Sequence, residues 1–291
     1  MPSQPKLSRR DFLKVMRSAF LFSAFSAFGG AAYSTRIEPG WLDVTTLDLR
    51  LPRLSEAFSV FRLVQISDIH IGGWMNPERL RRVVRQVLDL SPDLAVITGD
   101  FVIGHVYDDW ARQALTDLIL ELSPLTAQTR TLGVLGNHDH WVNADAVRAA
   151  LASCGVLDIS NRVHTITREG EHIHIAGVDD VWDGDPRLNE VLAQIPERGA
   201  AILLAHEPDF ADLSAVSGRF DLQLSGHTHG GQVVLPFVGP PVLPHMGHKY
   251  PSGLYRVGQM WQYTNRGVGM ARLQVRLNCR PEITVFTLEA G

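Results

Sequence analysis

From Val60 onward the chain alternates short apolar runs with amphipathic stretches, and each run ends in a polar or glycine-rich turn. That alternation is the pattern of an α/β domain. VFRLVQIS at 60–67 reads as a strand. NPERLRRVVRQVLDL at 76–90 reads as a helix, with Asn76 as N-cap, Pro77 at the first helical position, and Leu80, Val83, Val84, Val87 and Leu88 on one face. The unit repeats in kind: DLAVITG (93–99) precedes an amphipathic stretch near 108–122, and TLGVLG (131–136) precedes a helix near 144–153. VHTITREGEHIHIAGV (163–178) alternates apolar and polar residues about a tight turn, which predicts a hairpin and hence a mixed sheet. AAILLAH (200–206) and FDLQLSG (220–226) add strands, the first leading into a helix near 208–216. Short strands are predicted near 253–257, 260–264 and 282–288. No stretch is long enough to be a linker, so residues 60–291 read as one domain, preceded by a connecting segment over 33–59.

Composition adds one asymmetry. The 291 residues are 45% hydrophobic and 20% charged, enough for a large core. Residues 1–32 hold Lys6, Arg9, Arg10, Lys14 and Arg17 against Asp11 alone, a leader of +4 in a chain of net charge -4. The remainder has 22 basic and 30 acidic residues, a body of -8, which argues against a stable nucleic-acid partner. SRRDFLK at 8–14, followed by a Phe/Ala/Ser run from Ser18 to Ala32 too short for a confident membrane span, resembles a twin-arginine (Tat) export signal. The expectation is export through the Tat translocation machinery to the periplasm or the outer face of the cytoplasmic membrane. Cleavage after Ala32 or retention of the leader as a membrane anchor are both open. Cys154 and Cys279 are too few for a disulfide framework or a thiolate metal site and read as buried apolar thiols, with a single bridge between them after export left open.

Chemistry gathers at the strand ends. Asp68 and His70, Asp100, Asn137 with His138 and Asp139, His206, and the pair His227 and His229 in SGHTHGGQ each directly follow a predicted strand. Any one of these has an ordinary explanation as a turn or cap residue. In an open α/β sheet, however, the carboxyl ends of the strands face a common crevice. Five coincidences of strand end with imidazole, carboxylate or amide chemistry point to a shared metal site.

The ordered motifs DIH, GD, GNHD, AH and GHTH resemble the calcineurin-like metallophosphoesterase family from residue 60 onward. The resemblance implies a four-layer α/β/β/α sandwich with mixed sheets and a centre of two divalent cations. It places Asp68, His70 and His229 on one ion, Asn137, His206 and His227 on the other, and Asp100 between them. A donor set of imidazole, carboxylate and amide without thiolate admits Mn, Fe, Zn, Ni or Mg. Two cations roughly 3.5–4 Å apart would hold a hydroxide for attack on phosphorus. His138 would assist the leaving group, and Asp139 would orient its ring.

GDFVIGH at 99–105 lacks the second Asp and the Arg of the protein-phosphatase motif GDxxDRG, which disfavours phosphoprotein substrates and leaves only Asp108 or His105 as weak stand-ins for the missing carboxylate. EPGW at 38–41, the proline-rich LPFVGPPVLP after the histidine pair, and TNRGVGMARLQVRLNCRPEITV at 264–285 resemble the Tat-exported YaeI-type phosphodiesterase subfamily. A small phosphate-ester or phospholipid-type substrate is therefore expected. His245, His248 and Lys249 in the proline-rich loop read as solvated. The competing readings are a UDP-2,3-diacylglucosamine pyrophosphatase of the lipid A pathway, whose substrate is handled on the opposite face of the membrane, and a non-catalytic metal-binding module.

Overall fold

The computed structural model describes residues 8–271 and 273–291; Lys6 of the leader lies outside them. In chain order the elements are α1 (Arg9–Ala32), β1 (Asp43–Leu51), β2 (Phe61–Ile66), α2 (Pro77–Asp89), β3 (Leu94–Thr98), α3 (Asp109–Thr126), β4 (Thr131–Val134) and α4 (Asn137–Cys154). The second half adds β5 (Leu157–Asp158), β6 (Arg162–Arg168), β7 (Glu171–Gly177), α5 (Leu188–Gln194), β8 (Ala200–Leu204), α6 (Ala211–Ser214), β9 (Leu222–Ser225), β10 (Gly253–Val257), β11 (Met260–Thr264) and β12 (Glu282–Ala290).

The strands form two six-stranded sheets, ordered β1-β12-β2-β3-β4-β5 and β10-β11-β9-β8-β7-β6. Both are mixed: β2, β3, β4 and β5 run parallel while β12 opposes β2, and β7, β8, β9 and β11 run parallel while β6 and β10 oppose their neighbours. Period-two alternation explains the layering. In β3, Leu94 and Val96 face the inner core, where they join Ile173, Ile202, Leu222 and Leu224 of the second sheet. Ala95 and Ile97 face outward, against Leu80, Val84, Leu118 and Leu151 of α2, α3 and α4. A strand buried on both faces reads as a continuous apolar run, which is why these strands were legible. On the far side, Ala201 and Leu203 pack with Val191 of α5 and Ala211 of α6. The result is the expected four-layer α/β/β/α sandwich with mixed sheets.

Three local features depart from the sequence-based expectation. The segment 33–59 contributes β1, which pairs parallel with β12 over its full length from Asp43↔Glu282 to Leu51↔Ala290. Its DVTTLDLRL pattern is that of a half-exposed edge strand. The helix expected near 144–153 begins earlier, at Asn137, and is broken at Asn143, where ψ of 103° leaves the helical region. The 208–216 helix is a short α6 flanked by 3₁₀ turns at Pro208–Phe210 and Ala215–Ser217. Cys154 and Cys279 are both free and buried. Among the described residues no helix is long and apolar enough to cross a membrane.

Candidate metal centre

The predicted site residues follow β2 (Asp68, His70), β3 (Asp100), β4 (Asn137, His138), β8 (His206) and β9 (His227, His229), at the carboxyl ends of five strands. Backbone hydrogen bonds bind these loops to one another. The Asp68 N–H donates to the Gly99 carbonyl at 3.0 Å, the His70 N–H to the Asp100 carbonyl at 2.9 Å, and the Gly226 N–H to the His206 carbonyl at 3.0 Å. The His227 N–H bridges the two sheets, lying 3.0 Å from each Asp68 carboxylate oxygen. Gly226 permits that approach, because a Cβ there would lie 1.9 Å from Ser67 Oγ and 2.3 Å from Asp68 Oδ2.

Asp68, His70, Asp100, His227 and His229 all adopt left-handed backbone conformations, with φ between 50° and 71°. Such positions are uncommon for residues other than glycine and persist where the surrounding structure over-determines them. Five of them in one cluster mark a site whose geometry the fold holds against local preference.

All the candidate ligands are buried. His70 Nε2 and His229 Nε2 lie 3.0 Å apart, and His229 Nε2 lies 3.4 Å from Asp68 Oδ1. Asp100 uses one oxygen structurally, Oδ1 accepting the His138 N–H at 2.9 Å. Its other oxygen, Oδ2, is 3.4 Å from His70 Nε2 and 3.3 Å from His206 Nε2. The ring of His206 is oriented by Nδ1, which donates to the Thr98 carbonyl at 2.7 Å, so a neutral His206 turns the Nε2 lone pair toward a carboxylate. Two electron-rich atoms meeting in a buried site require a proton or a metal cation between them. His227 Nε2 donates to the His245 carbonyl at 2.7 Å, which leaves Nδ1 as the ring nitrogen free to accept or ligate. Asn137 Oδ1 is buried without a hydrogen-bond partner. Asp68, His70 and His229 each bring a ligand atom within 4.8 Å of the others, as do Asp68, Asp100 and His206, and also His70, Asp100 and His138.

Burial pushes the imidazoles of His70 and His227 down to about 3, with His206 contributing to both. It drives His229 well below its ordinary value, helped by His70. Burial opposes ionisation of Asp100, yet His206, His138 and His70 together hold its carboxyl well below the usual range. Burial also lowers His206, but Asp100, Asp68 and Glu207 outweigh it and hold that imidazole well above its ordinary value. Asp68 is raised to about 7, by burial first and then by Asp100 among the raising causes. The three neutral imidazoles beside an ionised carboxylate fit a divalent cation, whose ligands bind deprotonated.

One expected role is corrected. Asp139 does not orient His138: its Oδ1 accepts from the Phe101 and Val102 N–H groups at 2.9 and 3.2 Å, and its Oδ2 from the Gly136 N–H at 3.0 Å. Three backbone donors consume the carboxylate, while His138 Nδ1 is buried without a partner. The His138 ring is instead packed by other rings, with centroids 4.8 Å from His70, 4.6 Å from Trp141 and 5.5 Å from His105. Asp108 caps α3 through the Ala111 N–H. Sequence reasoning passed over Trp141, which lies in α4, and Trp182, which lies in the loop after β7, since an isolated aromatic residue reads as packing. It also passed over Arg276, whose buried guanidinium donates to backbone carbonyls.

A four-layer sandwich with a buried carboxylate and imidazole cluster at its strand ends defines a metal-dependent phosphoesterase. The chain belongs to the calcineurin-like phosphoesterase family, whose profile matches residues 61–231. It is 38% identical to the metallophosphoesterase YkuE of Bacillus subtilis over 287 residues, covering 98% of this chain and 99% of that one. It is 31% identical to the phosphodiesterase YaeI of Escherichia coli over 288 residues, covering 97% and 99%. A Bos taurus transmembrane protein with a metallophosphoesterase domain is 31% identical over 85% of this chain and 57% of its own length.

Proposed function

We propose that the protein is a phosphodiesterase that hydrolyses P–O bonds of small phosphate diesters with two divalent cations. Asp68, His70 and His229 would hold one cation, Asn137, His206 and His227 the other, and Asp100 would join them. The observation that carries this reading is the placement of Asp100 Oδ2, 3.4 Å from His70 Nε2 and 3.3 Å from His206 Nε2, between imidazoles of the two sets. When bound, the cations supply the Lewis acidity that activates water and offsets charge growing on the phosphoryl oxygens.

The chain's own groups do the rest. Asp100 is fixed by the His138 N–H, so the joining carboxylate and the leaving-group histidine move as one unit. Burial lowers the His138 imidazole, with His105 adding to the effect and Asp100 opposing it. A neutral ring at neutral pH assists the departing oxygen by donating an N–H hydrogen bond. The diester preference is supported by the YaeI relative and by the absence from GDFVIGH of the arginine that phosphoprotein phosphatases carry. The Arg9–Arg10 pair supports delivery by the Tat machinery to the periplasm or the outer face of the cytoplasmic membrane, where the substrate would be a small phosphate ester or phospholipid-type molecule.

Hydrolysis of bis-p-nitrophenyl phosphate by metal-loaded protein tests the activity. His138→Ala is expected to retain both cations and lose about 10²–10⁴-fold in turnover. An unchanged rate would remove His138 from the mechanism, and inactivity with every one of Mn, Fe, Zn, Ni and Mg would return the chain to the class of non-catalytic binding modules.

A further inference from the structure

We infer that Trp141 and Trp182 form an aromatic subsite beside the metal centre that binds a planar heteroaromatic group, such as a nucleobase, attached to the substrate phosphate. The inference rests on the phosphoesterase reading of the centre and names the class of ester it takes. Each indole meets a different part of the cluster. Trp141 lies 4.6 Å from the His138 ring, interplanar angle 60°, and Trp182 lies edge-on to His227 at 5.8 Å and 89°. The indoles are 5.4 Å apart at 76°, so they form a corner beside the centre, against His138 on one side and His227 on the other.

The corner is built before any ligand arrives. The Trp141 indole N–H donates to Asp183 Oδ2. The loop bearing Trp182 is pinned on both sides of it, the Val181 N–H donating to Glu207 Oε2 at 3.0 Å and the Asp183 N–H to Asp180 Oδ2 at 2.6 Å. Yet Trp182 keeps 39% of its surface exposed, and Trp141 is only half-buried. A large apolar ring held rigid and left open to solvent binds a flat partner at little entropic cost.

The surroundings select among flat and bulky partners. His105 stacks on Trp141 at 4.8 Å and 24°, and His245 lies 5.6 Å from Trp182, so the rim offers imidazole edges for hydrogen bonding. Those neighbours and Asp183 offer neither the aliphatic lining an acyl chain needs nor the basic charge a polyphosphate needs. A neutral ring with polar edges meets both conditions.

Isothermal calorimetry on the metal-loaded protein compares adenosine 5′-monophosphate, ribose 5-phosphate and inorganic phosphate. Adenosine 5′-monophosphate is expected to bind on the order of tenfold more tightly than ribose 5-phosphate, the scale of one base stacked on one ring. Trp182→Ala should remove that preference and Trp182→Phe should retain most of it. Equal binding of the two compounds to the wild-type protein, or a preference that survives Trp182→Ala, overturns the subsite. An adenine preference that depends on Trp182 in a metal-loaded protein that hydrolyses no bis-p-nitrophenyl phosphate would instead overturn the phosphoesterase reading and leave the subsite standing.

Discussion

Asp139 shows how a residue can govern a site that it does not touch chemically. Its two oxygens hold the Phe101 and Val102 amides after β3 and the Gly136 amide before α4, and so fix the loops that present Asp100, Asn137 and His138. Asp139→Ala strands three amides in the interior, and at about 1–3 kcal/mol for each unsatisfied buried group the total is on the order of 3 kcal/mol or more. Urea unfolding should show a loss of that size, accompanied by a lower turnover number; a variant as stable and active as the wild type would contradict the role. The residues gathered at the centre were legible because each terminates an apolar run. The direction in which Asp139 points was not, since sequence spacing cannot distinguish a carboxylate turned toward its neighbour's ring from one turned back into its own loop. Gly226 was readable only as a turn former, and its actual constraint is the contact with Ser67 and Asp68 across the sheets.

At the scale of elements, the parallel strands carry the centre, and an irregular C-terminal segment braces it. Arg276 is fully buried and donates to the carbonyls of Cys279 at 3.0 Å, Arg266 at 2.9 Å, Gly267 at 3.0 Å and Gly269 at 2.6 Å. Gly267 and Gly269 in turn press on Asp68 and Ile69, where added Cβ atoms would lie 2.7 Å from Asp68 Cβ and 2.2 Å from the Ile69 carbonyl oxygen. Arg276→Ala is expected to destabilise the metal-free protein by at least about 3 kcal/mol, and Arg276→Lys to recover little, because a point ammonium cannot reproduce the planar fork. A shift below about 1 kcal/mol in the denaturant midpoint analysis would show that the brace is dispensable. The central parallel strands were visible as apolar runs and the β6–β7 hairpin as alternation, whereas the two-residue β5 was too short to show and β1 was not identified because its outward positions carry polar side chains and its partner lies at the far end of the chain. The first turns of α4 escaped for a related reason: Asn137, His138, Asp139 and His140 give no apolar period although they begin a helix.

The whole molecule joins a basic leader to an acidic body, and divalent cations held at the centre would supply the positive field that the body lacks. If Arg9 and Arg10 address the chain to the Tat machinery, replacing both by Lys should leave the protein in the cytoplasmic fraction; undiminished appearance outside the cytoplasm would refute that address. The sandwich itself was foreshadowed by the alternation of strands and helices, but its layering rests on which face of each strand meets which sheet, information that one-dimensional periodicity lacks. The central claim is that Asp100 sits between two cations that act together. Titration of metal-stripped protein with a single divalent ion, following bis-p-nitrophenyl phosphate hydrolysis against bound metal, tests it most directly. The account predicts that full activity returns only as the second equivalent binds, and full activity without metal or with one equivalent would contradict it.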